Sequence, residues 1–313
     1  MGESSPDLIK SFDSYYALIG QGDYIDPIIN NNGKTENTNG HITNILTEKT
    51  INFINQDHHK PFFTILSYKS VHGPFTPLPE NKGKYPKPFL NSLPESYDYS
   101  YYCFDCVKEQ YSLATLKSLT NKYFETLAGV DQSVDDIYNA LEKKGILQNT
   151  MIIFTSDNGY LFGEHGLLDK RVAYEESIKV PMIIRYPKLI NPNNSSYDGI
   201  VLNIDIAPTI LDLAQIKAPE DMNGVSMINL INGEEFRDYF FYEYFPDMKT
   251  ECYPEMQAVR TLDQKLIIYK NSICNIEFYD LKSDPLEISN NINNQQYKDD
   301  IESLKLKLKD HFK

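Results

Sequence analysis

Two short segments carry side chains whose types and spacing could do chemistry, and each directly follows an apolar run. Residues 62–66 precede His72-Gly73-Pro74, and residues 151–154 precede Asp157-Asn158-Gly159. A carboxylate beside an amide oxygen offers the hard oxygen ligands that Ca²⁺ or Mg²⁺ prefers, and a histidine can exchange a proton near neutral pH. Each segment also has a plain structural interpretation, because Asn-Gly is a common turn dipeptide and His72 could be an ordinary loop histidine.

A third group of candidate residues follows Asp157-Asn158 along the chain. It contains His165, which stands between two glycines, and the cationic pair Lys170-Arg171. Glycines on both sides of His165 indicate a loop with a crowded backbone, although a turn would use them as well. Lys170 and Arg171 could bind an anion or could be an ordinary solvated pair.

The elements that must position these residues predict an α/β fold. Helical spacing of apolar residues and short apolar runs alternate along the first two thirds of the chain. The helices are predicted at residues 47–55, 120–144 and 205–213, and the buried strands at residues 62–66, 150–155 and 181–186. Such alternation favours a mostly parallel central sheet with flanking helices, and ligands bind beyond the carboxyl ends of its strands.

After residue 233 the pattern changes to that of a smaller unit. Short strands are predicted at residues 240–244, 258–261 and 265–269, and an amphipathic helix at residues 297–312. We therefore expect an α/β domain at residues 1–233 and a C-terminal sheet-and-helix subdomain at residues 234–313.

Composition and charge exclude some classes of function. The chain has 313 residues, with 30 Lys and Arg against 44 Asp and Glu, and a net charge of −14. That balance argues against a general nucleic-acid-binding protein, which needs a basic face. No apolar run approaches the ~20 residues of a membrane helix, and the first ten residues hold no secretory signal. Cys103 and Cys106 have the spacing of half a zinc site, but a disulfide or two free thiols is the simpler interpretation.

Several blocks between residues 155 and 187 resemble the sulfatase family in their order and spacing. These blocks are Ser156-Asp157-Asn158-Gly159, Gly163-Glu164-His165-Gly166, Asp169-Lys170-Arg171, Tyr174-Glu175-Glu176-Ser177 and residues 180–187. His72-Gly73-Pro74-Phe75 resembles the histidine loop of that family. Residues 205–212, 223–226, 258–261 and 279–285 resemble later family segments, so the resemblance covers nearly the whole chain.

Resemblance to sulfatases implies an alkaline phosphatase-like fold and hydrolysis of sulfate esters or sulfamates, with sulfated sugars as one substrate class. By position, Asp157 and Asn158 match the later pair of Ca²⁺ ligands. His72 and Lys170 match catalytic residues that contact the sulfate or the leaving oxygen, while His165 and Arg171 match the substrate-facing loop. The family nucleophile is a formylglycine made from the first residue of a Cys/Ser-x-Pro-x-Arg motif.

Near its start the sequence departs from the family pattern. It contains no Cys-x-Pro-x-Arg or Ser-x-Pro-x-Arg motif, and before His72 it has neither the family's aspartate pair nor its Lys-x-His motif. Residues 1–5 resemble the segment that follows that Lys-x-His motif. We therefore expect a chain that begins partway through a sulfatase, with half a Ca²⁺ shell and little or no turnover alone. The N-terminal part could be a separate chain.

Two other interpretations stay open. One is a phosphate or phosphonate ester hydrolase of the same superfamily. The nucleophile motif would distinguish such an enzyme from a sulfatase, but the sequence does not contain it. The other is a non-catalytic remnant that binds sulfate or a glycan through His72 and Lys170.

Overall fold

The structure is a computed structural model, and it describes residues 11–98, 111–191, 196–246, 253–270 and 275–312. The chain divides into two units, one of Met1–Asn91 with Ala114–Thr150 and one of Ser92–Leu113 with Met151–Lys313. All four cysteines lie outside the described residues, and so does the predicted half zinc site at Cys103 and Cys106. The domain boundary predicted at residue 233 stays a prediction.

The first unit combines a three-stranded antiparallel sheet with helices. Its strands are β1 (Tyr16–Leu18), β2 (Ile28–Asn31) and β3 (Lys34–Asn37), in that order. Helix α1 (Ile42–Asn55) begins after His41, whose Nδ1 accepts a hydrogen bond from Thr43 N (3.2 Å). Helix α2 (Leu113–Lys143) lies in this unit from Ala114 onwards. Both predicted helices are confirmed, and both begin earlier than predicted.

A small apolar core forms where β2 and α1 meet. Tyr24, Ile29, Ile42 and Leu46 are buried there, with Leu66 and Tyr68 packed against them. The segment at residues 62–66 forms no ladder with any described strand, and its Phe63 and Ile65 are 52% and 62% exposed. The buried strand predicted there is wrong, because a strand needs a partner for its backbone groups and the described strands pair with one another instead.

In the second unit, strands and short helices alternate as predicted. The elements are β4 (Ile152–Thr155), β5 (Leu161–Phe162), β6 (Leu168–Asp169), α3 (Glu175–Ile178), β7 (Met182–Arg185), α4 (Ile206–Leu213) and α5 (Ile228–Ile231). Strand β4 pairs with β7, and β5 with β6. Every ladder between described strands is antiparallel, so the predicted parallel pairing is not found among them. The chain from β4 to β7 returns through a hairpin and one helical turn rather than through a long crossover helix.

The predicted C-terminal sheet and helix are confirmed. The sheet consists of β8 (Tyr239–Tyr244), β9 (Glu255–Thr261), β10 (Gln264–Lys270) and β11 (Ile276–Asp280), and the helix is α6 (Lys298–His311). The strands are ordered β11-β10-β9-β8. Three of the four strands match a predicted strand, whereas β11 has no counterpart in the prediction.

Both faces of this four-stranded sheet are buried. On one face, Val259, Leu266 and Phe278 pack against Ile301, Leu304 and Leu308 of α6. On the other face, Ala258, Ile267, Tyr269 and Tyr279 pack against Leu161, Leu167, Val172, Ala173 and Tyr174. Successive strand residues point to opposite faces, so the sheet serves as a fixed support for the segment between β5 and α3. No described helix is long and apolar enough to cross a membrane.

Candidate active site

Asp157 and Asn158 form a tight turn directly after β4. Asp157 Oδ1 accepts a hydrogen bond from Asn158 N (3.0 Å), and Asn158 Nδ2 donates to the Gly159 carbonyl (2.7 Å). These bonds leave Asp157 Oδ2 and Asn158 Oδ1 without a hydrogen bond to any described residue. The Asp157 side chain is exposed, so two hard oxygen donors from adjacent residues are open to a divalent cation.

Other segments of the second unit hold this turn at both ends. Asn203 Nδ2 donates to the carbonyl oxygens of Ser156 and Asp157, at 3.1 Å each. Gly159 N donates to Ser177 O (2.8 Å). A Cβ atom at Gly159 would lie 2.0 Å from the Glu176 carbonyl oxygen, so only glycine permits this approach of two backbones.

His72 lies in the first unit, in the loop that follows Tyr68, a partly buried residue packed against the small core. Tyr24 supports this loop by donating its hydroxyl proton to the His72 carbonyl (2.6 Å). Burial raises the pKa of Tyr24 to about 12, which keeps that donor protonated at physiological pH. The exposed His72 ring donates through Nδ1 to the Gly73 carbonyl (2.7 Å). That bond places the proton of the neutral ring on Nδ1, and Nε2 is then the atom that can engage a ligand.

Lys170 and Arg171 follow the hairpin of β5 and β6. Arg171 forms an ion pair with Asp169, and both residues have left-handed φ angles, 95° and 79°. Such backbone persists only where the surrounding structure holds it, and it is common at functional sites. Lys170 is partly buried, and within the described part of the chain no acid pairs with it. Its charge is therefore open to an anion.

His165 is fully buried, although the sequence predicts it in a substrate-facing loop. Its ring stacks on Tyr174, with ring centroids 3.8 Å apart and 8° between the planes. Its backbone N–H donates to Ser96 Oγ (3.3 Å), and its Nε2 lies 3.7 Å from Glu176 Oε2. The φ angle of His165 is also left-handed, at 53°. These contacts place the imidazole inside the fold, where it supports the loop that bears Lys170.

A buried group of charges lies against the same loop. Lys265 Nζ donates to the Ala173 carbonyl (2.8 Å) and lies 2.8 Å from Glu175 Oε1 and 2.7 Å from Glu287 Oε1. Arg260 contacts Glu175 through Nε (3.3 Å) and Nη2 (3.1 Å). Burial by itself would raise the pKa of Glu175, but Lys265 and Arg260 lower that pKa to about 2. Glu175 is therefore ionised at all physiological pH values.

Another buried carboxyl group, that of Glu277 on β11, ties the loop to the sheet. It accepts hydrogen bonds from the hydroxyl groups of Tyr174 (3.1 Å) and Tyr269 (3.0 Å). Burial raises the pKa of Glu277, and these hydrogen bonds oppose the rise. Tyr174 thus stacks on His165 with its ring and reaches the sheet with its hydroxyl group.

Two places in the second unit have donor atoms suited to a metal ion. One ligand atom each from His165, Glu176 and Glu287 lies within 4.8 Å of the others. The ammonium group of Lys265, 2.7 Å from Glu287, already supplies a cation there. The Asp157-Asn158 turn has unengaged hard oxygens and fits Ca²⁺ or Mg²⁺ by chemistry. Ca²⁺ takes six to eight oxygen ligands, and the turn supplies two of them.

An α/β fold with an oxygen-rich turn at a strand end is typical of metal-dependent hydrolases. Comparison with known proteins gives the family. Residues 4–216 match the sulfatase family, and residues 163–313 match the family described as N-sulphoglucosamine sulphohydrolase, C-terminal. The chain belongs to the sulfatase family, as its sequence motifs predict.

Relatives of known activity agree with this assignment. An N-acetylglucosamine-6-O-sulfatase of Bacteroides thetaiotaomicron is 31% identical over 92% of this chain and 65% of its own length. An arylsulfatase of Clostridium perfringens is 29% identical over 85% of this chain and 57% of its own length. The chain thus spans about three fifths of the length of these relatives.

Solved structures share the fold. BT4656, solved in complex with its substrate D-glucosamine-2-N,6-O-disulfate, superposes with a TM-score of 0.85 and 28% identity, covering 96% of this chain and 76% of that one. The phosphonate monoester hydrolase of Agrobacterium radiobacter superposes with a TM-score of 0.72 at 22% identity, covering 85% of this chain and 59% of that one. These neighbours confirm the alkaline phosphatase-like α/β class.

The predicted site residues are divided between the two units. The structure places Asp157, Asn158, His165, Lys170 and Arg171 in the second unit and His72 in the first. Sequence reasoning did not single out Asn203, which holds the Asp157 turn, or Lys265, which holds the segment before α3. Alternation along β10 would have indicated Lys265, because it shares a sheet face with Ile267 and Tyr269.

Proposed function

We propose that this chain carries the metal-binding and sulfate-binding part of a sulfatase that hydrolyses sulfate esters on amino sugars. The observation that carries the proposal is the Asp157-Asn158 turn, which leaves two oxygens open while Asn203 and Ser177 hold its backbone. The substrate class is supported by the N-acetylglucosamine-6-O-sulfatase relative and by the substrate bound to BT4656.

Five of the six predicted site residues have a role in this proposal, and the buried His165 supports the loop that bears Lys170. Asp157 and Asn158 would hold Ca²⁺, which when bound offsets negative charge on the transferred sulfate. His72, when protonated at both ring nitrogens, would donate the Nε2 proton to the leaving oxygen and keep its Nδ1 proton on the Gly73 carbonyl. The ammonium group of Lys170 would stabilise developing negative charge, and Arg171 would bind substrate from the same loop.

The proposal keeps an α/β domain at residues 1–233 and a subdomain at residues 234–313. Because the sequence contains no formylglycine motif, we expect little or no turnover from this chain alone. Turnover would require a nucleophile that these 313 residues do not carry in that motif.

Removal of the Asp157 carboxylate should abolish stabilisation by Ca²⁺. With Ca²⁺ at about ten times its dissociation constant, binding to the folded chain should raise the unfolding midpoint by about 2–4 °C. Asp157→Ala should show no such rise, whereas Asp198→Ala, a change at an exposed aspartate, should keep it. Thermal unfolding with and without Ca²⁺ measures the effect. An equal rise in Asp157→Ala would place the ion elsewhere.

Removal of the Lys170 cation should weaken binding of a sulfated amino sugar about tenfold, since a hydrogen bond to a charged group contributes about 1.5–3 kcal/mol. Calorimetric titration with D-glucosamine-2-N,6-O-disulfate compares wild type with Lys170→Ala. Lys179→Ala is the matched control, because Lys179 is an exposed lysine at the end of α3. Equal affinity in the Lys170→Ala variant would contradict the assigned role. Binding by wild type that yields no product even with a nucleophile-bearing chain would favour the non-catalytic interpretation.

A further inference from the structure

We infer that Asn203 is a positioning residue for the Asp157-Asn158 pair, an inference that rests on the proposed metal site. One side-chain amide donates to two successive carbonyl oxygens, those of Ser156 and Asp157, at 3.1 Å each. Both carbonyls belong to the turn that presents the proposed ligands. The amide therefore fixes the peptide groups on both sides of the Asp157 Cα atom, and with them the direction of its carboxylate.

A rigid support behind Asn203 makes this contact a device for positioning. Asn203 begins a single 3₁₀ turn that ends at Asp205. Asp205 is fully buried and accepts hydrogen bonds from Leu202 N (2.7 Å) and Val225 N (2.9 Å). The guanidinium group of Arg237 donates two hydrogen bonds to the same carboxylate, at 2.6 and 2.8 Å. The amide of Asn203 is thus held in place before any ligand binds, as groups that orient metal ligands generally are.

Backbone packing closes the remaining side of the 3₁₀ turn. A Cβ atom at Gly224 would lie 2.0 Å from the Ile204 carbonyl oxygen, so the segment bearing Val225 lies directly against the 3₁₀ turn. At the far end of the metal turn, Gly159 N is bound by Ser177 O. Asp157 and Asn158 therefore lie between two fixed points, and Asn203 provides the one that acts through a side chain.

The hydrogen bonds of Asn203 are solvent-exposed, which separates a positioning role from a structural one. Bonds in contact with water add little to global stability, so their loss should leave unfolding of the metal-free chain nearly unchanged. Loss of the groups that orient metal ligands usually weakens metal binding about 10–100-fold. The inference thus predicts a large change in Ca²⁺ affinity with a small change in unfolding.

The test is calorimetric titration of the full chain with CaCl₂. Asn203→Ala should bind Ca²⁺ about tenfold more weakly than wild type, and Asn203→Gln, which keeps an amide donor, should recover part of that loss. Ile204→Ala is the matched control, because it alters an exposed side chain of the same 3₁₀ turn without touching the metal turn. Ile204→Ala should bind as wild type does. The thermal midpoint without Ca²⁺ should stay within about 2 °C of wild type in all three variants.

The outcomes separate this inference from the proposed function. Ca²⁺ binding that is lost in Asp157→Ala but unchanged in Asn203→Ala would overturn the role of Asn203 and leave the metal site standing. A wild-type chain that does not bind Ca²⁺ would overturn the metal site and the inference together. If Asn203→Ala weakens Ca²⁺ binding and also lowers the thermal midpoint without Ca²⁺ by clearly more than about 2 °C, the role of Asn203 is structural. That result would also overturn the inference.

Discussion

Replacement of Asp205 by alanine should lower the free energy of unfolding by about 3–5 kcal/mol, the usual cost of removing one partner of a buried ion pair. The Asp205 carboxylate has no exposed surface, and Arg237, which is 15% exposed, loses both of its hydrogen bonds to it in the variant. The backbone N–H groups of Leu202 and Val225 lose their acceptor as well. Arg237 would keep the Ile200 carbonyl oxygen as an acceptor (3.2 Å) but lose its counter-ion, and two part-buried N–H donors would lose their acceptor. These losses together account for the size of the effect.

Urea unfolding followed by circular dichroism measures this cost. Asp205→Asn keeps an acceptor but loses the charge, so its cost should be intermediate. Asp212→Ala is the matched control, because Asp212 is exposed and its carboxylate accepts a single hydrogen bond from the described residues, from Ser226 Oγ (2.7 Å). We expect that control to cost less than about 1 kcal/mol. An equal cost at Asp205 and Asp212 would show that the buried pair contributes nothing special to stability.

Replacement of Lys265 by methionine should also cost about 3–5 kcal/mol. Lys265 has no exposed surface, and its ammonium group lies between the carboxylates of Glu175 and Glu287. Methionine preserves the length of the side chain, so the loss is mainly one of charge. Glu287, which is 1% exposed, would be left beside Glu175 without its cation. The variant should therefore be destabilised most at pH values at which Glu175 and Glu287 are both ionised.

This expectation gives the variant a distinct dependence on pH. The pKa of Glu175 falls from 4.5 in the unfolded chain to about 2 in the folded one, which corresponds to a stabilisation on the order of 3 kcal/mol. A lowered carboxyl pKa stabilises the fold above about pH 4.5, and that contribution disappears as the pH falls from 4.5 towards 2. Without Lys265, the pKa of Glu175 rises, so its stabilisation at neutral pH shrinks and little remains to be lost on acidification.

Unfolding free energies of both proteins between pH 7 and pH 2 test this directly. Wild type should lose more stability than Lys265→Met over the acid range, so the two curves should converge as the pH falls. Lys270→Met is the matched control, because Lys270 lies on the same strand and pairs with Glu255 at 2.6 Å while 44% exposed. An exposed pair contributes less than about 1 kcal/mol. Parallel curves for wild type and Lys265→Met would contradict the assigned role of Lys265.

Periodicity predicted the local elements well and their pairing poorly. The spacing of apolar residues correctly indicated α1, α2 and α6, because an amphipathic stripe depends on nearby residues alone. Asp205 and Pro208 correctly indicated the start of α4, and three strands of the C-terminal sheet were also predicted. Periodicity failed at residues 62–66, where an apolar run forms no ladder with a described strand. It also failed for the direction in which β4 and β7 pair, because the path of the chain between two strands decides whether they run parallel.

The sequence alone determined the family. Blocks such as Gly163-Glu164-His165-Gly166 and Asp169-Lys170-Arg171 have the order and spacing of the family, and these do not depend on the tertiary structure. It also nominated the residues with the right chemistry for a metal and an anion. Only the tertiary structure decided which of those side chains are open to a ligand. His165 turned inward onto Tyr174, and Asn203 joined the Asp157 turn from a segment more than forty residues away. Burial and hydrogen bonding depend on which segments meet in space, and distance along the chain does not record that.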